Sequence, residues 1–172
     1  MDTLTHLVAG ASIGEAVLGK KIGKKAMLWG ALAGNAPDAD AVMNFFITDV
    51  DSLVTHRGLS HSVFTAIVMG PLLGWLLWRM YTKKEADWRA WAFMITLNIF
   101  FHLFLDTCTV YGTGLFTPFT DYRYAFDTIF VADPIYTLPL IISVIAMLVL
   151  SKNSKSRTKW NATGLTLSSI YM

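Results

Sequence analysis

The chain has 172 residues, 54% hydrophobic and 15% charged, with a formal net charge of +2 and a mean hydropathy of +0.48. That length suits one domain with a sizeable core, while charge this sparse is poor for a soluble domain and too weak to argue for nucleic acid. A single cysteine, Cys108, excludes an internal disulfide framework and any cysteine-based zinc cluster.

The first apolar stretch, about Leu4–Leu18, follows Asp2 and precedes Lys20, Lys21, Lys24 and Lys25. This reverses the charge order of a cleavable signal, so the segment is expected to remain. A second helix is expected over about Lys25–Ala36. Both helices are short and rich in small residues. Gly10 with Gly14, and Gly30 with Gly34, form small-xxx-small steps that let helix backbones approach closely in lipid.

Two longer apolar runs, about Ser62–Tyr81 and Trp88–Asp106, reach the ~20 residues that cross a bilayer. A third, about Pro134–Leu150, is slightly shorter. Residues 107–133 lack a clean period but carry many aromatics, which favours a packed lid near the membrane interface. Residues 158–172 open a further segment too short to span. The expected fold is all-α: one integral membrane domain over residues 1–172, a polytopic bundle of about five membrane helices with a partial sixth.

Charge orients the bundle. Twelve of the fourteen Lys and Arg residues fall in the turn after the first helix, in the 79–89 loop or in the 152–159 segment. If every apolar segment crosses, these regions share one side, which the positive-inside rule makes cytoplasmic. The opposite side receives most of the aspartates, together with Arg57 and Arg123.

All four histidines lie in short polar motifs at that acidic end: His6, His56, His61 and His102. His102 and Asp106 are spaced i, i+4, so one helix face offers an imidazole and a carboxylate to one ion. The plainer alternative is an Asp that only holds the imidazole. Asp38 and Asp40, two apart after Pro37, suit a hard or borderline cation or, more plainly, an N-cap. His56 and His61 are five apart, and Gly58 lets the segment turn so that both converge. Arg57 between them offers a planar fork to an oxyanion. Ser60 is the expected N-cap of the following helix, and a nucleophilic role for Ser60 or Ser62 is disfavoured.

His6 alone would read as an interfacial histidine. Glu15 is equally a lysine partner or a catalytic group, and Asp133 either caps the last span or completes a ligand set. Summed, the pool is His6, His56, His61, His102, Asp38, Asp40 and Asp106, with Asp133 as an eighth if it is not spent on capping. It exceeds the three protein ligands of one catalytic zinc and suits two ions sharing a carboxylate. Mixed nitrogen and oxygen ligation fits zinc, manganese or iron better than calcium.

The ordered blocks DxLTHxxxG, GxxPDxD, HRGxSHS, HxxLDxxTxYGT and PF…DP, running from Asp2 to Pro134, resemble the YdjM-like family of bacterial inner-membrane proteins, described as membrane-bound metal-dependent hydrolases. The resemblance implies a polytopic inner-membrane protein with a metal site built from these His and Asp residues.

The expected function is metal-dependent hydrolysis of a lipid or lipid-linked (phospho)ester at the extracytoplasmic interface. One or two divalent transition ions, zinc first, would be held by His6, Asp38, Asp40, His56, His61, His102 and Asp106. Asp38, Asp40, Arg57 and Asp106 are the expected catalytic residues, and Arg57, Arg123 and Asp133 the expected substrate contacts. A non-enzymatic membrane regulator with a structural metal is the alternative. A metal transporter is disfavoured because the ligands cluster at one end.

Overall fold

A computed structural model describes residues 1–39, 59–81 and 85–172. Among the described residues the chain is all-helical, without strands. Six α-helices run in order: α1 (Thr3–Ile22), α2 (Lys24–Gly34), α3 (Val63–Tyr81), α4 (Trp88–Thr107), α5 (Pro134–Val149) and α6 (Lys155–Tyr171). A 3₁₀ turn, Leu59–His61, precedes α3.

The helices pack as three antiparallel hairpins, α1 with α2, α3 with α4, and α5 with α6. Glycine sets the tightness of the first. A Cβ on Gly10 would stand 2.4 Å from the Gly30 carbonyl oxygen, and one on Gly14 only 2.1 Å from that of Ala26. The two backbones therefore touch along the small-residue steps, which brings the end of α2 against the start of α1. Gly34 reaches the His6 carbonyl in the same way.

Five of the six helix starts have a side-chain cap. Asp2 caps α1 by accepting from the Thr5 amide (3.0 Å). Asp87 caps α4, Asp133 caps α5 and Ser154 caps α6. Ahead of α3 the Ser62 hydroxyl accepts from the Thr65 amide (3.1 Å). Ser62, not the expected Ser60, thus performs the capping.

Among the described residues two helices are long and apolar enough to cross a membrane, α3 and α4; α5, with 16 residues, is shorter. The expectation of about five membrane helices therefore finds two candidate spans. The reason is local. α2 has only 11 residues, about 16 Å of axial rise, and α1 carries Glu15, Lys20 and Lys21. α6 is polar rather than an interrupted apolar segment, and its Gly164 lies against Ser143 of α5.

The segment between α4 and α5 is tied back to the bundle. Thr113 and Tyr124 form an isolated bridge, Phe126 donates to the Thr107 carbonyl, and Asp2 donates to that of Val131. The expected lid is anchored through its backbone, but its aromatics do not pack inward: Phe119, Tyr122, Phe126 and Phe130 are exposed. Burial instead centres on α1, α4 and α5, with Trp91, Met94, Leu103 and Leu105 among the fully buried side chains.

Candidate metal centre

Four helix ends meet at one pole of the bundle. α1 contributes His6 one turn from its start, and the turn after α2 contributes Asp38. The 3₁₀ turn before α3 contributes His61, and the last turns of α4 contribute His102 and Asp106. The small-residue contact between α1 and α2 makes this convergence compact.

Each inner imidazole is oriented by a partner on its outer nitrogen. His102 Nδ1 lies 2.7 Å from the Gly34 carbonyl oxygen, which can only accept, so Nδ1 carries the hydrogen and Nε2 is left with its lone pair. His61 Nδ1 meets the Ser60 hydroxyl at 2.9 Å. Both Nε2 atoms consequently face one point, 3.1 Å apart. Such outer contacts fix ring orientation and tautomer in metal-binding histidines.

The carboxylates complete the cluster. Asp38 Oδ1 lies 3.2 Å from His61 Nε2 and 3.6 Å from His102 Nε2. Asp106 Oδ2 lies 3.5 Å and 3.6 Å from the same two atoms. All four donor atoms fall within 4.8 Å of one another. A tetrahedral ion with ligand bonds of about 2.0–2.1 Å places its donors about 3.3 Å apart. Five of the six donor–donor spacings, 3.1–3.6 Å, lie close to that edge length, so Asp38, His61, His102 and Asp106 fit a divalent ion.

His6 flanks this set. Its Nε2 meets Asp106 Oδ1 at 3.2 Å, and its ring stacks on His102 with centroids 3.7 Å apart. The Met1 amino group contacts the same Asp106 oxygen. Asp106 thus turns one oxygen toward the four-donor cluster and the other toward His6. The i, i+4 placement of His102 and Asp106 on one face is as the spacing predicts.

Burial gives the site a direction. His61, His102 and Asp106 are fully buried, whereas the Asp38 side chain is 23% exposed. Burial alone would raise the Asp38 carboxyl. The hydrogen bond with His61 and the electrostatic field of the neighbouring imidazoles outweigh it and hold Asp38 below its usual range. Cys108, beside Asp106 in the chain, is buried and its thiol is pushed up, chiefly by that burial.

Asp40, His56 and Arg57 lie outside the described residues. Asp133 is committed to its helix: Oδ1 accepts from the Ile135 and Tyr136 amides, and Oδ2 accepts from the Tyr171 hydroxyl at 3.1 Å. Arg123 stands beside Gly112, next to the Thr113–Tyr124 bridge.

Sequence reasoning missed three partners. The Gly34 carbonyl and the Ser60 hydroxyl act through histidine Nδ1 atoms. The sequence singles out Ser60 as an expected N-cap and not as a histidine partner, and a backbone carbonyl leaves no signature at all. Glu15 pairs with Arg157 instead of a lysine, at 2.7 Å from Nε to Oε1 and 2.5 Å from Nη2 to Oε2.

A family profile described as "YdjM inner membrane protein" matches residues 1–172. The chain is 30% identical over 141 residues to "Uncharacterized protein YfhP" of Bacillus subtilis (strain 168), covering 78% of this chain and 42% of that protein. It is 29% identical over 123 residues to "Inner membrane protein YbcI" of Escherichia coli (strain K12), covering 70% of this chain and 69% of that one. The chain therefore spans less than half the length of the first relative. No solved structure matches it.

Proposed function

The chain belongs to the YdjM inner membrane protein family, and from that premise we propose a metal-dependent hydrolase acting on a lipid or lipid-linked phosphoester. The observation that carries this reading is the convergence of two oriented imidazoles and two carboxylates, with Asp38 the partly exposed donor among the described residues. A divalent ion, zinc first and manganese or iron after it, supplies Lewis acidity and activates water near neutral pH.

The chain's own groups divide the work. His61 and His102 would hold the ion through Nε2, and Asp106 through Oδ2. Asp38 would be the exchangeable fourth donor: its side chain is the partly exposed one of the four, placed to accept a proton from water. His6 steadies Asp106 from its other oxygen.

An apolar groove supports a lipid substrate. One cavity of about 200 Å³ is lined by Pro37 and Ser60, the chain neighbours of Asp38 and His61. A second, of about 270 Å³, runs on between Trp29 and Met80. Ala36 and Leu73 line both, so the pair forms one track between α2 and α3. α3 is a candidate span with only 17% of its apolar window buried, and its open face suits acyl chains. We read the cluster as lying at the outer ends of α3 and α4, with the basic end in the cytoplasm.

A second reading has its own support. Four protein donors fill a tetrahedral ion, the pattern of a structural site, whereas a catalytic site keeps a position for water. The chain would then be a regulatory membrane protein stapled by its metal. The test is metal content and phospholipid turnover of the purified protein, wild type against Asp38→Asn. A variant that retains the ion but loses turnover supports the hydrolase. Stoichiometric metal with no turnover of phospholipids or lipid-linked phosphates by the wild type supports the staple, and no metal under any loading condition sinks both.

A further inference from the structure

The pole opposite the metal centre carries a second concavity of different chemistry. It has a volume of about 470 Å³ and lies between the C-terminal end of α1 and the turn joining α5 to α6. Lys20, Lys152, Lys155 and Lys159 line it, with Asn153, Ser154 and Thr158. The lining contains four cations, three polar side chains and no carboxylate.

Its charge is unusually unbalanced. Residues 134–172 contain no Asp or Glu, and α1 contains one acid, Glu15. That acid is already held by both Nε and Nη2 of Arg157 in a buried pair. Among the described residues, none of the four lysines pairs with a carboxylate. The N-terminal turn of α6, a 17-residue helix capped by Ser154, adds the positive end of its dipole to the same space.

The walls are fixed rather than incidental. Arg157 also donates to the Leu150 carbonyl at 3.1 Å, and the Asn161 amide donates to that of Ser12 at 3.0 Å. These bonds lock α6 onto α1 and onto the end of α5. The Lys152 stem lies over Gly23, where an added Cβ would meet its Cδ at 3.5 Å.

We infer that this concavity is a binding site for the phosphate of an anionic phospholipid. Lysine ammoniums are compact donors suited to phosphate oxygens. The last turn of α5, three residues before Lys152 in the chain, exposes Leu148 and Val149, the latter by 83%. Acyl chains lying on that apolar face would place their headgroups at the lysine ring, whereas a free phosphate would make no use of it. Basic pockets beside membrane helices hold lipid headgroups by this combination of charge and adjacent hydrocarbon.

The test is native mass spectrometry of the full chain in detergent with phosphatidylglycerol, phosphatidylcholine or inorganic phosphate added. The wild type should retain phosphatidylglycerol in preference to phosphatidylcholine. The variant K20Q/K152Q/K155Q/K159Q should lose that preference, with affinity falling roughly fivefold for each charge removed. A control of equal charge, K21Q/K24Q/R79Q/R89Q, should keep it, because none of those residues lines the pocket. Equal loss in the control would overturn the site in favour of general basicity. Retention of inorganic phosphate without phosphatidylglycerol, or no preference in the wild type, would overturn it too. All eight positions are solvent-facing, and a thermal midpoint unchanged from wild type checks that each variant is folded.

Discussion

His61 Nε2 and His102 Nε2 approach to 3.1 Å, with each ring's Nδ1 bound elsewhere, to Ser60 and to the Gly34 carbonyl. Two imidazole nitrogens aimed at each other in a buried pocket are compatible only with a proton or a cation between them. Two carboxylates at 3.2–3.6 Å favour a cation. Loss of either ring should abolish binding of such a cation. His102→Ala and His61→Ala are each expected to lose stoichiometric metal in elemental mass spectrometry of the purified protein. Full retention in both would refute the assigned ligand set.

Ser60→Ala tests the outer contact. It removes the His61 Nδ1 partner without touching the four donors. Loss of an orienting partner typically weakens metal affinity 10–100-fold. The expected result is retained but weaker binding, measured by competition with a chelator of known affinity. Unchanged affinity would mean that packing alone orients the ring.

Gly10→Ala tests whether helix approach builds the site. The added methyl would meet the Gly30 carbonyl oxygen at 2.4 Å, and backbone cannot swing aside as a side chain can. Separating α1 from α2 also moves the Gly34 carbonyl away from His102. A loss of about 1–3 kcal/mol in stability is expected from overpacking, together with weaker metal retention. A stable variant with undiminished metal would show that the site does not depend on this contact.

Glu15→Ala should destabilise the bundle by roughly 3–5 kcal/mol, because it leaves Arg157 buried and unpaired. The double replacement Glu15→Met with Arg157→Met should recover most of that loss. Thermal unfolding in detergent reads both. Metal content should remain unchanged throughout, since the pair lies at the opposite pole.

Acid should act in two stages. Metal ligands bind deprotonated, so occupancy falls as pH drops. In metal-free protein, the Asp38 carboxyl is held below its usual range by His61 and its neighbours. A depressed folded pKa contributes stability above the unfolded value, and that contribution is lost as pH falls through the folded one. Metal-free Asp38→Asn should therefore lose part of the acid limb of the wild-type stability curve, measured by thermal midpoint against pH. Superimposable curves would deny Asp38 this role.

Much of this protein is legible along the chain. Apolar run lengths placed α3, α4 and α5 to within a residue or two, because burial and periodicity are local properties of a helix. The small-residue steps anticipated the α1–α2 contact, and the His102–Asp106 spacing fixed two donors on one face. The segregation of lysines from histidines likewise follows from helix polarity alone.

Other features depend on which segments meet. No spacing says that the Gly34 carbonyl will set the tautomer of His102, or that Asp38 will be the exposed donor beside three buried ones. Arg157 and Glu15 are 142 residues apart, and nothing in either neighbourhood names the other. The many aspartates in the sequence look alike until packing assigns them. Asp133 caps α5 while Asp106 faces the centre, because capping needs only the next turn whereas ligation needs four helix ends at once. The sequence by itself determined the helices and the chemistry available at each end; only the tertiary structure decided which donors share a centre, since donor atoms a few ångströms apart are brought together by packing rather than by proximity in the chain.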